Sequence, residues 1–122
     1  MTRRAAQPAL PLVVPTLPPV VCTELRARIE PGWGQQAACA SKWVDPDWWF
    51  TPADDPSHAA ARTICGSCPV RRSCLAYALV MDESDGIWGG FDETERVWLR
   101  LALAEGSSVA AVLDLRTRTE AA

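Results

Sequence analysis

The sequence is poor in the features that mark several common classes of protein. Its 122 residues include one histidine, and 12 basic residues face 15 acidic ones, for a net charge of −3. Proteins that coat nucleic acid need an excess of Lys and Arg to neutralise phosphates, so that class is disfavoured. No run approaches the ~20 apolar residues that span a bilayer. A Ser-His-Asp set, paired catalytic carboxylates and a phosphate-binding loop are lacking, so we do not expect an enzyme. The length of 122 residues predicts one small domain.

The N-terminus superficially resembles a secretion signal, because Arg3-Arg4 precede an apolar stretch that ends at Cys22. A signal needs an unbroken apolar helix of about 7–15 residues. Five prolines interrupt this stretch, and each removes a helical hydrogen bond: Pro8, Pro11, Pro15, Pro18 and Pro19. We therefore expect a cytoplasmic protein with reduced cysteines, which favours metal or redox chemistry over a disulfide framework.

Prolines, glycines and capping residues divide the chain into three predicted segments. Residues 1–20 hold half of the ten prolines and are expected to form a flexible arm. Residues 21–92 are expected to form the cysteine-bearing domain, including a turn at Gly86–Gly90. Residues 93–122 are expected to form a C-terminal helical segment.

The predicted fold class is all-α, with four to five short helices, because no run alternates as a β-strand would. Asp54, Asp55 and Ser57 are candidate caps for a helix through residues 59–64, and Asp92 with Glu95 resembles a capping box. On the helix predicted after Cys68, one apolar face is expected to hold Val70, Cys74, Tyr77 and Met81. Helices are predicted over 21–30, 33–39, 59–64, 69–81 and 93–105, with a weak one after Ser107-Ser108.

The strongest chemical signal is the spacing Cys65-x2-Cys68-x5-Cys74, with Cys39 upstream. Four thiolates suit either a tetrahedral Zn²⁺ ion or a [4Fe–4S] cluster. A zinc ribbon normally uses two close pairs, whereas only one pair is close here. The spacing therefore favours a cluster but leaves zinc open, with small buried hydrophobic cysteines as a third interpretation. Cys22 is expected to be an incidental thiol.

Tryptophan is the other unusual feature, with six residues in the chain, four of them within residues 33–49. That segment is too rich in proline to bury them all, so a docking surface is expected there. His58, the single histidine, is expected to be exposed. Arg71 and Arg72 are expected either to neutralise the cysteine site or to be solvated.

Four pieces of sequence together resemble the WhiB-like family of actinobacteria and their phages, over roughly residues 33–100. They are Cys39, Asp45-Pro46-x2-Trp49-Phe50, Cys65-x2-Cys68-Pro69-Val70-Arg71-x2-Cys74-x2-Tyr77-Ala78-Leu79 and Gly86-Ile87-Trp88-Gly89-Gly90, and Trp33 stands six positions before the first of these cysteines. The resemblance implies a cytoplasmic transcriptional regulator with one [4Fe–4S] cluster sensitive to oxygen and nitric oxide, around which the helices wrap. It implies cluster ligands at Cys39, Cys65, Cys68 and Cys74. It also implies docking on region 4 of the principal sigma factor through Trp33, Trp49, Phe50 and Trp88.

The sequence departs from the family pattern in three places. The gap from Cys39 to Asp45 is longer than usual, Trp49 stands where Phe is common, and the C-terminus lacks a basic run. Residues 91–122 contain four arginines against six acidic residues, a local charge of −2. We therefore expect the isolated protein to bind promoter DNA weakly, with Arg96 and Arg100 as candidate contacts.

Two other functions would use the same cysteines. In a thiol–disulfide reductase, Cys65 and Cys68 would cycle between dithiol and disulfide, but the thioredoxin-like βαβ context is missing. In a structural zinc module, the four cysteines would bind one ion.

Overall fold

The computed structural model describes residues 16–116, which form five α-helices joined by turns and short 3₁₀ helices. Within this range the only strand-like feature is a single bridge between Trp88 and Phe91, so the predicted all-α class is confirmed. None of the helices described is long and apolar enough to cross a membrane. The α-helices are α1 Pro19–Ala27, α2 Pro56–Gly66, α3 Arg71–Met81, α4 Glu93–Ala104 and α5 Val109–Asp114, and the 3₁₀ helices are Trp33–Gln36, Ala38–Ala40 and Pro46–Phe50.

Most of the helix starts follow the predicted capping residues. Asp55 caps α2, Ser108 caps α5, and Asp92 forms a complete capping box with Glu95 at α4. Helix α1 begins at Pro19, two residues before the predicted start. The first N–H groups of a helix have no helical acceptor, so a proline, which has no N–H, is well tolerated at this position. Residues 1–15 of the predicted arm lie outside the described range. The helix predicted over 33–39 is instead two separate 3₁₀ helices.

The main hydrophobic core lies between α1, α3, α4 and α5. The predicted apolar face of α3 is wrong at its end, because Met81 is 56% exposed. The side chains of α3 that enter the core are Leu75, Ala76 and Leu79. The C-terminal helices α4 and α5 therefore share one core with α1 and α3. The largest fully buried side chains of this core are Leu25, Leu75, Leu79, Leu103, Leu113 and Val109.

A second, smaller cluster packs the third 3₁₀ helix against α2. Trp49, Ala61, Cys65 and Ile87 are buried in it, and Trp48 packs against them. This cluster contains one of the predicted ligands, so the cysteine site and the aromatic segment form a single packing unit.

His58 is buried, so the prediction that it is exposed is wrong. Its Nδ1 lies 3.1 Å from the carbonyl oxygen of Thr51, and its Nε2 lies 3.7 Å from a carboxylate oxygen of Asp92. Arg62 of the same helix pairs with Asp92 at 3.4 Å and with Glu95 at 2.8 Å. These polar contacts join α2 to the start of α4, which is why the histidine faces inward.

The two arginines predicted to contact DNA point into the protein. Arg96 is 3% exposed and donates to the carbonyl oxygens of Gly86 and Phe91, each at 2.6 Å. Arg100 donates to the carbonyl of Leu79 and pairs with Asp82. Because both guanidinium groups are engaged by their own fold, their placement argues against the predicted DNA contacts.

Candidate metal centre

A 3₁₀ helix, a turn and two α-helices bring the four predicted ligands to the wall of one cavity. Cys39 lies in the second 3₁₀ helix, Cys65 in the last turn of α2, Cys68 in the following turn and Cys74 at the start of α3. Helix α2 ends just after Cys65, and the Cys68 N–H donates back to the Cys65 carbonyl at 3.0 Å. This reversal places the close pair beside the start of α3. The cavity has a volume of about 180 Å³.

The fifth cysteine is elsewhere. Cys22 lies on α1, packs against the main core, and its thiol approaches the carbonyl of Leu17 at 4.0 Å. Within residues 16–116, as the side chains stand, no group of three or more His, Cys, Asp or Glu is arranged to hold a metal ion. The four predicted cysteines nevertheless line one cavity, and Cys22 lies apart from them.

Hydrogen-bond donors surround the sulfur atoms of the cavity. The indole Nε1 of Trp49 donates to the Cys65 sulfur at 3.3 Å, and the backbone N–H of Ala38 donates to the Cys68 sulfur at 3.4 Å. The backbone of Gly89 hydrogen-bonds Cys74, and that of Gly90 hydrogen-bonds Cys65. Such N–H groups stabilise a thiolate more than a thiol, so the donor set fits sulfur that carries negative charge.

Burial acts in the opposite direction on the same thiols. It raises the pKa of Cys39 and of Cys65, and it raises the pKa of Cys74 to about 12. Repulsion from neighbouring cysteines also raises the pKa of each, whereas the N–H groups lower it. Several thiolates in so apolar a space therefore need a cation to offset their charge, and loading the site with metal must release protons.

Gly89 and Gly90 let the backbone of a tight turn approach the cysteines. Both have positive φ, and Trp88 and Phe91 bond each other across them. A Cβ on Gly89 would lie 2.6 Å from the Cβ of Leu75 on α3. The turn can therefore press its amides against the site only because these positions lack side chains.

The predicted docking aromatics separate into exposed and buried side chains. Trp33 and Trp88 line the cavity and both pack on Tyr77, with ring centroids 5.5 and 5.8 Å apart. Phe50 is 62% exposed, whereas Trp49 is only 5% exposed, so the expectation that Trp49 faces a partner is not met by its placement. Trp43 was not singled out from the sequence, but it is 82% exposed and Lys42 lies over its ring.

The two arginines next to Cys68 have different environments. Arg71 is buried, lines the cavity, and donates to the carbonyls of Leu113 and Leu115 at the end of α5. Arg72 is exposed and pairs with Asp114 at 3.2 Å. Only Arg71 therefore brings positive charge to the wall of the cavity.

Two features of the site had no sequence signal. The Trp49 N–H bond to Cys65 joins residues 16 positions apart. Tyr77 lies between Trp33 and Trp88 because a helix and two loops meet there. Neither contact has a spacing rule, so only the tertiary structure reveals them.

Comparison with known proteins gives one family and several relatives. The family model described as Transcription factor WhiB matches residues 33–99. Transcriptional regulator WhiB of Streptomyces coelicolor is 45% identical over 73 residues, which cover 60% of this chain and 80% of the relative. Transcriptional regulator WhiB2 of Mycolicibacterium smegmatis is 46% identical over 67 residues, covering 55% of this chain and 50% of the relative. Probable transcriptional regulator WhiB7 of Mycobacterium tuberculosis is 54% identical over 52 residues, covering 40% of this chain and 54% of the relative.

Proposed function

This chain belongs to the WhiB family of transcription factors, and we propose that it is a redox-responsive regulator that binds one [4Fe–4S] cluster. The proposed ligands are Cys39, Cys65, Cys68 and Cys74. The observation that carries the proposal is that these four line one cavity while Cys22 packs into a separate core. The bound cluster would supply redox chemistry and sensitivity to oxygen and nitric oxide in the cytoplasm.

The chemistry of the donor set supports this cofactor. Four thiols are the usual ligand set of such a cluster. Three of the sulfurs accept hydrogen bonds from N–H groups of Trp49, Ala38, Gly89 and Gly90. The buried guanidinium of Arg71 adds positive charge to the cavity wall, which suits a site of net negative charge.

The proposed partner is region 4 of the principal sigma factor, with promoter DNA reached mainly through that complex. The exposed ring of Phe50 and the row formed by Trp33, Tyr77 and Trp88 supply apolar and aromatic surface beside the cavity. Buried aromatic anchors dominate the energy of many protein interfaces. Trp49 would act from beneath this surface, since it is buried.

Loss of the cluster would be the switch. Cys65 and Cys68 lie on one turn, so once freed from iron they can be oxidised to a disulfide, with two electrons and two protons passing to oxygen. A disulfide between them would leave two of the four proposed ligands unavailable to iron. We expect the protein loaded with the cluster to bind a fragment of sigma region 4, and the oxidised, cluster-free protein to bind it much more weakly.

The cofactor is tested by anaerobic purification followed by absorption spectroscopy and analysis of iron, sulfide and zinc. We expect about four irons and four sulfides per chain. Cys39→Ser, Cys65→Ser, Cys68→Ser and Cys74→Ser should each lose iron, and Cys22→Ser is the matched control that should keep it. One zinc and no iron would favour a structural zinc module. Metal-free protein that cycles a disulfide would favour a reductase.

The partner is tested with a fragment of sigma region 4 and the loaded protein. Phe50→Ala should weaken binding, because it removes an exposed aromatic ring beside the cavity. Val20→Ala, which shortens an exposed apolar side chain on α1, should leave binding unchanged. Equal binding of the fragment by loaded and oxidised protein would contradict the proposed switch.

A further inference from the structure

One sulfur atom of the site accepts a hydrogen bond from a side chain. The indole Nε1 of Trp49 donates to the sulfur of Cys65 at 3.3 Å, and both residues are buried. A buried indole N–H needs an acceptor, and a carbonyl oxygen is the common one. Here the acceptor is a sulfur that we propose binds iron.

The surrounding structure fixes the direction of this bond. The carbonyl of Trp49 accepts from the Ile87 N–H at 2.8 Å, which ties its backbone to the turn Gly86–Gly90, called the glycine turn below. Its ring stacks on Trp48, with centroids 6.4 Å apart and planes 12° apart. Asp45 caps the 3₁₀ helix that carries both rings. These contacts together hold the N–H toward the sulfur.

We propose that Trp49 is a positioning residue that acts through Cys65 to raise the reduction potential of the cluster, an inference that rests on the proposed function. Reduction adds one electron, and part of the added negative charge spreads onto the ligand sulfurs. The positive end of the N–H dipole faces the Cys65 sulfur, so it stabilises the reduced form more than the oxidised form. Because the pair is buried, water screens this interaction little.

The inference is tested by comparing Trp49→Phe with Trp43→Phe in the loaded protein. Phenylalanine keeps an aromatic ring at position 49 and removes the N–H. Trp43→Phe is the matched control, since it makes the same substitution at a tryptophan that is 82% exposed and does not line the cavity. In an anaerobic redox titration followed by electron paramagnetic resonance, we expect a more negative midpoint potential for Trp49→Phe and an unchanged one for Trp43→Phe.

A second variant separates the N–H from the volume of the ring. Benzothienylalanine at position 49 keeps the size of the indole and replaces its N–H by sulfur, so it remains informative if Trp49→Phe loses the cluster. We expect the same shift in potential, and a change in the Fe–S(Cys) stretching frequencies seen by resonance Raman spectroscopy. A purely structural role for Trp49 would leave both measurements at wild-type values in the isosteric variant.

The outcomes distinguish this inference from the proposed function. If the wild-type protein holds iron and sulfide, but the isosteric variant has the same potential as the wild type, the role of Trp49 is overturned and the cluster stands. If the wild-type protein holds zinc and no iron, the proposed function falls, and the redox role of Trp49 falls with it.

Discussion

Gly89 combines a backbone angle and a close contact that only a residue without a side chain tolerates. Its φ is +61°, and an added Cβ would lie 2.6 Å from the Cβ of Leu75 and 3.0 Å from the carbonyl oxygen of Arg71. Its backbone also hydrogen-bonds Cys74. At the scale of single residues, the cysteine site therefore depends on a position that carries no chemistry of its own.

We predict that Gly89→Ala destabilises the protein by about 3 kcal/mol, the sum of left-handed strain and overpacking. Gly32→Ala is the matched control, because Gly32 has a φ of +72° and nothing within 4 Å of an added Cβ. It should cost only about 1 kcal/mol, from the left-handed strain alone. Urea denaturation of both variants measures the difference, and equal costs would show that the turn moves away from α3 freely.

At the scale of elements, the start of α4 is joined to both α2 and the glycine turn. Asp92 accepts from the Glu95 N–H as the cap, and it also pairs with Arg62 of α2 at 3.4 Å. Arg96, one turn further on, holds the carbonyls of Gly86 and Phe91. The same helix end therefore positions α2, which contains Cys65, and the glycine turn, whose backbone hydrogen-bonds Cys65 and Cys74.

We predict that Asp92→Ala costs about 2 kcal/mol, since it removes a helix cap and a partly buried ion pair together. Asp55→Ala is the comparison, because Asp55 caps α2 through the Ser57 N–H and has no ion pair within the described residues. It should cost about 1 kcal/mol. Denaturation midpoints at low and high salt give both values, and identical losses would show that the pair with Arg62 adds no stability.

At the scale of the whole molecule, the described residues form a large core that contains none of the four candidate ligands and a small cluster that includes one of them. The large core joins α1, α3, α4 and α5, whereas the small one packs Trp49 against α2 around Cys65. The small cluster buries few apolar side chains. Its order should therefore depend on the cofactor, because metal binding supplies folding energy where packing is insufficient.

We predict that removal of the cofactor under reducing conditions loosens only part of the protein. Amides in residues 38–66 should exchange with deuterium at least about tenfold faster, while those in α4, α5 and the second half of α3 should change little. Hydrogen exchange followed by mass spectrometry on loaded and cluster-free protein measures this. Uniform loss of protection would show that the two clusters unfold together.

A second prediction at this scale concerns DNA. The chain carries a net charge of −3, and the guanidinium groups of Arg62, Arg96 and Arg100 are engaged inside the fold. We predict weak binding of promoter DNA by the isolated protein and selective binding only with sigma-containing polymerase. Mobility shifts at two salt concentrations, with loaded and cluster-free protein, test this. Tight, selective binding by the isolated protein at physiological salt would contradict it.

Local chemistry alone determined much of this protein. Proline and capping residues marked most helix starts, since a cap acts within three residues of its helix. The cysteine spacing separated the four candidate ligands from Cys22, and the structure places these four on one cavity. The family resemblance rests on the same local patterns, and the family match over residues 33–99 confirms it.

The tertiary structure decided which side chains are buried. His58 was expected at the surface and Arg96 on DNA, but both are buried. Asp92 lies beside the imidazole of His58, and the Arg96 guanidinium donates to the carbonyls of Gly86 and Phe91. Trp49 and Phe50 are neighbours in sequence, yet one donates to a buried sulfur and the other faces solvent. Burial depends on which elements meet, and contacts between residues far apart in sequence leave no periodic or spaced pattern for the sequence to display.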